Sequence, residues 1–287
     1  MLFTAPAKVN LYLKIIGPRE DGYHNIETLF EKIALFDEIS IEKTEDNTQI
    51  ICSDLSIPTD KNSLIVRAVN LFKEKTGIKD KFLINIKKSI PVGAGLGGGS
   101  SDAASVLRGL NEVMGGVAEK QTLGEIARIL GADVSFFLGN ASFAYGRERG
   151  DELEELQTEF KMWHVLVSPP FGISTKEIYG NVSAFGLTKD KRLDRMFSTF
   201  LGEKNIVELG KNLHNDLQII VLRRFPVLEK VISEIKKTKT NGVLLSGSGS
   251  TVFGIYKTEN DAVNSADKLC GMFNKDENWR IQVASTY

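Results

Sequence analysis

The amino-acid sequence predicts a mixed α/β protein of two domains, and three observations carry that expectation. Val9, Leu11, Leu13 and Ile15 alternate strictly with Lys8, Asn10, Tyr12 and Lys14, which gives a strand with two chemically distinct faces. A glycine-dense run at 91–104 stands between a strand-like stretch, 82–86, and a set of apolar residues at helical spacing, Ala103, Val106, Leu107 and Leu110. Strand and helix patterns then interleave through the second half, placing the chain in the α+β or α/β classes.

In chain order, the first strand covers 9–16 and shares one face between Lys8 and Asn10. An Asp21-Gly22 turn leads to Tyr23-His24 and a second extended stretch at 26–33, and a third strand covers 38–43. Beyond a polar stretch, 64–75 reads as a helix, followed by the strand at 82–86, the glycine run, and a helix that Ser100, Ser101 or Asp102 would cap. Thr122-Leu123-Gly124-Glu125 reads as a capping box for a helix burying Leu123, Ile126, Ala127 and Leu130, with Gly131 as its stop. The charged run 146–155 reads as a solvated loop, and the domain boundary is placed there, giving domains 1–150 and 151–287. The second domain opens with a strand at 163–167 and an extended Ser168-Pro169-Pro170-Phe171-Gly172. Helices about 204–209, 216–222 and 226–235 follow, the last with Pro226 in its first turn, then strands at 243–245 and 252–256 around a second glycine loop. There is no internal repeat.

Composition narrows the function. The 287 residues are 42% hydrophobic, enough for one large core or two medium ones. Basic and acidic residues number 36 and 37, so no global field favours nucleic acid or an anionic membrane, and any anion site must be local. Residues 1–8 lack the apolar core of a signal peptide, and the expected location is the cytoplasm. Cys52 and Cys270 stand far apart, as do His24, His164 and His214, which argues against a zinc or redox centre. His164 reads as a strand residue with a structural partner, and His214-Asn215-Asp216 as the junction of two elements.

The run Pro91-Val92-Gly93-Ala94-Gly95-Leu96-Gly97-Gly98-Gly99-Ser100-Ser101-Asp102-Ala103-Ala104 carries the chemistry. Backbone amides unobstructed by side chains wrap an anion, and the first turn of the following helix adds a partial positive charge, so a nucleotide phosphate is the expected guest. A flexible linker is the plain alternative, but linkers are seldom framed by a strand and an apolar-periodic helix. Gly93, Gly95 and Gly98 match G-x-G-x-x-G, yet no second strand ending in an acidic residue follows the helix, which excludes a dinucleotide fold. No Gly-Lys-Ser/Thr closes the run, which excludes a P-loop.

Ala5-Pro6-Ala7-Lys8-Val9-Asn10, the run 91–104 and Ser246-Gly247-Ser248-Gly249 resemble the three motifs of the GHMP kinases, over nearly the whole chain. Asp21-Gly22-Tyr23-His24, Gly97-Gly98-Gly99-Ser100-Ser101-Asp102-Ala103-Ala104 and Gly131-Ala132-Asp133 with Phe136-Phe137 narrow the resemblance to the branch acting on a cytidyl alcohol. The resemblance implies a two-domain fold with the active site in the interdomain cleft. It implies ATP-dependent phosphorylation of the 2-hydroxyl of 4-diphosphocytidyl-2-C-methyl-D-erythritol, in the non-mevalonate route to isoprenoid precursors. ATP and Mg²⁺ would be required, and the substrate would be the small cytidyl molecule, with no nucleic acid and no membrane partner. A monomer or homodimer is expected.

Residue roles follow from the same resemblance. Asp133 takes the place of the base that removes the hydroxyl proton, and Lys8 that of the lysine that polarises this hydroxyl. Without the resemblance, an aspartate past a helix stop is a turn residue and a lone lysine is solvated surface. Pro91 through Ser101 would hold ATP. Asn10, Tyr23, His24, Thr175 and Tyr179 would hold the substrate, the two tyrosines as aromatic platforms for cytosine. Gly247, Ser248 and Gly249 would face the diphosphate or close the phosphate site, or else form a tight turn between strands. The sequence departs from the family at Ser135, where proline is common. It departs again at Gly98 and Gly99, which intervene before Ser100 and Ser101, so the protein ligands of Mg²⁺ stay unassigned. Two alternatives remain: a kinase of another small alcohol such as homoserine or mevalonate, and a non-catalytic nucleotide-binding protein on the same fold.

Overall fold

The first strand extends beyond its alternating stretch: β1 spans Leu2–Pro18, and Ala5, Ala7, Lys8, Asn10 and Tyr12 are buried together with the apolar face. In a strand covered on both sides, alternation marks chemistry and not exposure. The structure, a computed structural model, describes residues 1–60, 63–182, 192–198, 202, 204–273 and 278–287. β2 spans His24–Thr44 and joins the stretches 26–33 and 38–43, which the sequence reading separates. The link Ala34-Leu35-Phe36-Asp37 holds neither glycine nor proline, so nothing breaks the extended chain.

The chain forms two compact units, Met1–Ala7 with Leu35–Val92 and Gly97–Asn140, and Lys8–Ala34 with Gly93–Leu96 and Ala141–Tyr287. Its course changes unit within β1, within β2 and at both ends of Gly93–Leu96.

In the first unit, β3 (Gln49–Cys52) comes from a stretch read as polar connection, and α1 (Leu64–Thr76) is capped by Ser63, whose Oγ accepts from the Ile65 amide. β4 (Lys81–Lys87) pairs parallel with β3 and antiparallel with the 38–44 half of β2. α2 (Gly98–Val113), α3 (Lys120–Leu130) and α4 (Ala132–Leu138) complete a helical layer with α1. Gly109 allows α2 to approach β2, because a Cβ there would lie 2.6 Å from Ile41 Cδ1. Two helix starts differ from the sequence reading. α3 begins at Lys120, so Thr122 lies inside it and caps nothing. α2 begins at Gly98 behind an N-cap Gly97, so Ser100, Ser101 and Asp102 fall in its first turns. Gly131 stops α3 as expected, and α4 restarts at once.

In the second unit, β5 (Phe143–Arg147) and β6 (Glu152–Leu156) form an antiparallel hairpin on the 28–31 part of β2. This replaces the solvated loop expected over 146–155: the acidic residues line an exposed edge strand, where charge discourages further pairing. β7 (Trp163–Ser168), α5 (Thr175–Tyr179), α6 (Arg192–Ser198), α7 (Ile206–Asn212) and the two-residue β8 (His214–Asn215) follow, β8 pairing parallel with β1 at Tyr12 and Leu13. After α8 (Leu217–Arg224) and α9 (Val227–Lys236) come β9 (Gly242–Leu245) and β10 (Val252–Tyr256), then α10 (Glu259–Phe273) and β11 (Arg280–Ser285), neither of which the sequence reading identified. A four-stranded antiparallel sheet runs β11-β7-β10-β9, and α8, α9 and α10 cover it through Val165, Val167, Leu245, Val252, Val221, Val231 and Leu269. His164 has the structural partner expected of it, with Nε2 3.0 Å from the buried Glu31 carboxylate, which also accepts from Thr286 Oγ1 at 2.7 Å. No helix among the described residues is long and apolar enough to cross a membrane.

Candidate active site

The middle of the first glycine loop, Gly93–Leu96, is fixed by its carbonyls. Each accepts one hydrogen bond from a different part of the second unit: Gly93 from the Ile173 amide at 2.9 Å, Ala94 from the Thr251 amide at 3.1 Å, Gly95 from Ser246 Oγ at 2.9 Å, and Leu96 from the Lys8 amide at 2.9 Å. In a trans peptide the N–H points opposite to the preceding carbonyl. The amides of Ala94, Gly95, Leu96 and Gly97 therefore each point away from the anchor of the carbonyl that precedes them. Gly95, at φ +75°, could carry no side chain, since a Cβ would lie 2.1 Å from the Ser246 carbonyl oxygen and 2.9 Å from that of Gly249. At Gly99, in the first turn of α2, a Cβ would meet nothing within 4 Å. The N-cap Gly97 offers no side-chain acceptor, so the opening amides of α2 lack a side-chain cap.

The second glycine loop is the turn between β9 and β10. Gly249 donates back to the Ser246 carbonyl at 2.8 Å, and Asn215 Nδ2 donates to the carbonyls of Leu245 at 2.8 Å and Gly247 at 2.7 Å. Asn215, which the sequence reading left outside the site, is thus the strut of this loop, and no local pattern announces it. At Gly247 a Cβ would lie 3.2 Å from Asn10 Oδ1, 3.3 Å from Lys8 Nζ and 3.5 Å from the Gly95 carbonyl oxygen. The loop's backbone thus rests directly against two of the expected site side chains and the other glycine loop.

Lys8 and Asn10 are buried on the shared face of β1, with Lys8 Nζ donating to Asn10 Oδ1 at 2.5 Å and standing 5.8 Å from the Phe30 ring centroid. A buried ammonium is costly to desolvate and is rare without a specific task. Thr175 Oγ1 and Ser248 Oγ are 2.9 Å apart, which joins the start of α5 to the second glycine loop. Tyr179, at the other end of α5, packs its ring on His24 with centroids 5.5 Å apart and planes tilted by 42°. Tyr23 is 59% exposed and lies against the Arg149 guanidinium, 5.4 Å from ring centroid to Cζ.

These residues, Lys8, Asn10, Tyr23, His24, Gly93–Leu96, Thr175, Tyr179, Gly247, Ser248 and Gly249, all belong to the second unit. Pro91, Val92, Gly97, Gly98, Gly99, Ser100, Ser101 and Asp133 belong to the first. Asp133 is half-buried in the first turn of α4, where the helix dipole favours a carboxylate. Ser135, in the family's proline position, lies inside α4, and its buried hydroxyl has no partner among the described residues.

A charged cluster that the sequence reading missed braces the first unit's part of the loop. The Lys88 ammonium bonds the Asp37 carboxylate and, at 2.6 Å, Asp102 Oδ2 in α2. Asp37 Oδ1 in turn accepts from the amides of Ser89 at 2.6 Å and Ile90 at 2.9 Å, immediately before the loop. The segment leading into the loop and the helix leading out of it are thereby tied to one ammonium. Burial pushes the Asp102 carboxyl up to about 7, against the pull of Lys88 and with the help of Asp37. Burial works against the Lys88 charge, but the two carboxylates more than offset it and its pKa is raised.

Among the described residues no three His, Cys, Asp or Glu side chains gather as a metal-binding group. No residue is therefore assigned to a divalent ion.

Comparison with known proteins finds relatives over nearly the whole chain. The models of the GHMP kinases N terminal domain and the GHMP kinases C terminal domain match residues 63–141 and 198–275. A relative from Syntrophotalea carbinolica, 4-diphosphocytidyl-2-C-methyl-D-erythritol kinase, is 38% identical over 269 residues, 93% of each chain. One of the same name from Caldicellulosiruptor bescii is 37% identical over 271 residues, 94% of each. A crystal structure of 4-(cytidine 5'-diphospho)-2C-methyl-D-erythritol kinase superposes with a TM-score of 0.82 at 32% identity, covering 99% of this chain and 98% of that one. A homoserine kinase from Cytophaga hutchinsonii superposes at 0.77 over 100% of this chain and 93% of that one, but its 17% identity speaks for the fold alone. With both domain models matched in order and full-length relatives well above 30% identity, the chain belongs to the 4-diphosphocytidyl-2-C-methyl-D-erythritol kinase family of the GHMP kinases.

Proposed function

We propose that this chain transfers the γ-phosphoryl group of ATP to the 2-hydroxyl of 4-diphosphocytidyl-2-C-methyl-D-erythritol, giving the 2-phosphate and ADP. The observation that carries the reading is the gathering of the paired Lys8 and Asn10 and the Gly95 carbonyl around Gly247, each within 3.5 Å of where a Cβ on Gly247 would stand. Kinases of that substrate are its relatives along nearly all of its length.

The phosphates of ATP take the amides of 94–97, whose carbonyls are tied back into the protein, together with the first turn of α2. Asp133 accepts the proton of the 2-hydroxyl as its oxygen attacks the γ-phosphorus; that bond forms while the bond to the β–γ bridging oxygen breaks and ADP leaves. Lys8, held by Asn10, polarises the hydroxyl and offsets developing negative charge. Bound together with ATP, Mg²⁺ would supply charge neutralisation at the phosphates, and no residue of this chain is assigned to hold it. Gly247, Ser248, Gly249 and Thr175 contact the substrate diphosphate, and Tyr23, His24 and Tyr179 the cytosine. In the division of labour, 1–150 serves ATP and 151–287 forms the C-terminal domain, in keeping with the matched spans 63–141 and 198–275. A cytoplasmic location and a monomer or homodimer, with no nucleic acid or membrane partner, complete the reading.

The ring pair His24–Tyr179 favours a substrate with a base over homoserine or mevalonate, which have none to stack. Tyr179→Ala therefore raises KM for the cytidyl substrate by roughly 5- to 100-fold, for about 1–3 kcal/mol of stacking, and leaves KM for ATP within twofold. Steady-state kinetics with each substrate varied in turn checks this. A rise in KM for ATP with none for the cytidyl substrate would remove the base pocket from this place.

A further inference from the structure

We propose that Thr28 is a positioning residue that sets the direction of Lys8 through Asn10. The proposal rests on the assignment of Lys8 and Asn10 to the reaction. The three residues are buried on β1 and β2 within the second unit, Thr28 completely.

Donor counting fixes the order of the network. The Tyr12 carbonyl can only accept, so the Thr28 hydroxyl, 2.8 Å away, gives it its single proton. Thr28 Oγ1 is then an acceptor toward Asn10, and the group facing it at 2.8 Å must be the Asn10 NH₂. That choice leaves Asn10 Oδ1 facing the Lys8 ammonium, which donates to it at 2.5 Å. A backbone carbonyl of β1 thus anchors, through one hydroxyl, the far end of the amide whose near end meets the lysine. Without the hydroxyl the buried Asn10 NH₂ loses this acceptor, and the amide is held at its Oδ1 end by the ammonium alone, no longer anchored to β1 from behind. The Lys8 head would then move, and displacement of a reacting group by as little as 1 Å lowers rates by up to about 100-fold.

The test compares Thr28→Val, which keeps shape and strand preference but removes the hydroxyl, with Thr28→Ser, which restores it. Lys8→Ala is measured alongside. For folded variants, Thr28→Val lowers kcat by about 10- to 100-fold with KM for ATP within twofold, and Thr28→Ser returns kcat to within about threefold of the parent. A parental kcat in Thr28→Val, or an equal loss in Thr28→Ser, overturns the proposal while leaving Lys8 in place. A parental kcat in Lys8→Ala overturns the assignment of Lys8, and this proposal with it. A second readout needs no variant: by NMR, the side-chain NH₂ protons of Asn10 in the parent protein are protected from exchange with water. Rapid exchange there overturns the network.

Discussion

The two glycine-rich loops look alike in sequence and differ in what their glycines do. The first leaves β4 and opens the 16-residue α2, and the second closes the hairpin of β9 and β10. Gly95 of the first loop is glycine because the second loop's backbone occupies the volume a side chain would need, 2.1 Å from a Cβ. Gly247 of the second is glycine because Lys8, Asn10 and the first loop crowd it. Gly99 has open space instead. Packing therefore demands the first two, whereas at the exposed Gly99 nothing in the chain stands against a side chain.

The largest effect is expected of Gly95→Ala. Its added methyl would collide with two backbone carbonyl oxygens in a left-handed conformation, costing on the order of 3 kcal/mol of stability. Denaturant unfolding measures it, and an unchanged midpoint would mean the loops do not interlock. Next in size, Asp133→Asn separates chemistry from the cradle: turnover falls by about 100-fold or more while ATP affinity by calorimetry stays within about twofold. Retained turnover would remove Asp133 from the reaction.

The brace behind the first loop makes a smaller, pH-dependent contribution. With its carboxyl pushed up to about 7 from an ordinary value of 3.8, Asp102 keeps a proton in the folded protein that the unfolded chain has released. The folded state then binds more protons between about pH 4 and 7, so stability falls as pH rises through that window, by at most about 1.4 kcal/mol per unit. Asp102→Asn cannot titrate, and its unfolding midpoint loses this decline between about pH 5 and 7. Parallel pH profiles for the two proteins would show that Asp102 is ionised throughout.

Smallest is Gly99→Ala. Alanine in the open first turn of α2 raises helix stability by up to about 1 kcal/mol, yet it narrows the room proposed for phosphate. The expected outcome is a slightly higher melting temperature with severalfold weaker ATP binding. Unchanged binding would place the phosphates away from Gly99.

What the sequence made legible was whatever is local. The alternation around Val9, the helix after the glycine run and the strand 252–256 are written in residue spacing, and the last is found at the residues expected. β6 escaped because an edge strand can carry Glu152, Glu154 and Glu155 outward and still pair. The supposed caps at Ser100 and Thr122 failed because glycine, with no side chain, can occupy the N-cap and start α2 earlier, and because α3 begins two residues ahead of Thr122. Lys8 and Asn10 could be placed on one face from parity alone, and the structure joins them. Thr28, Lys88 and Asn215 are different: their partners are 18, 14 and 30 or more positions away, so only the folded chain reveals them.

The central claim is phosphoryl transfer to a cytidyl alcohol, and the direct measurement is ADP release by the purified chain with three acceptors in parallel. With ATP and Mg²⁺ present, 4-diphosphocytidyl-2-C-methyl-D-erythritol should give sustained turnover well above the acceptor-free rate, and homoserine and mevalonate should give none above it. Turnover with homoserine or mevalonate and none with the cytidyl substrate would contradict the account.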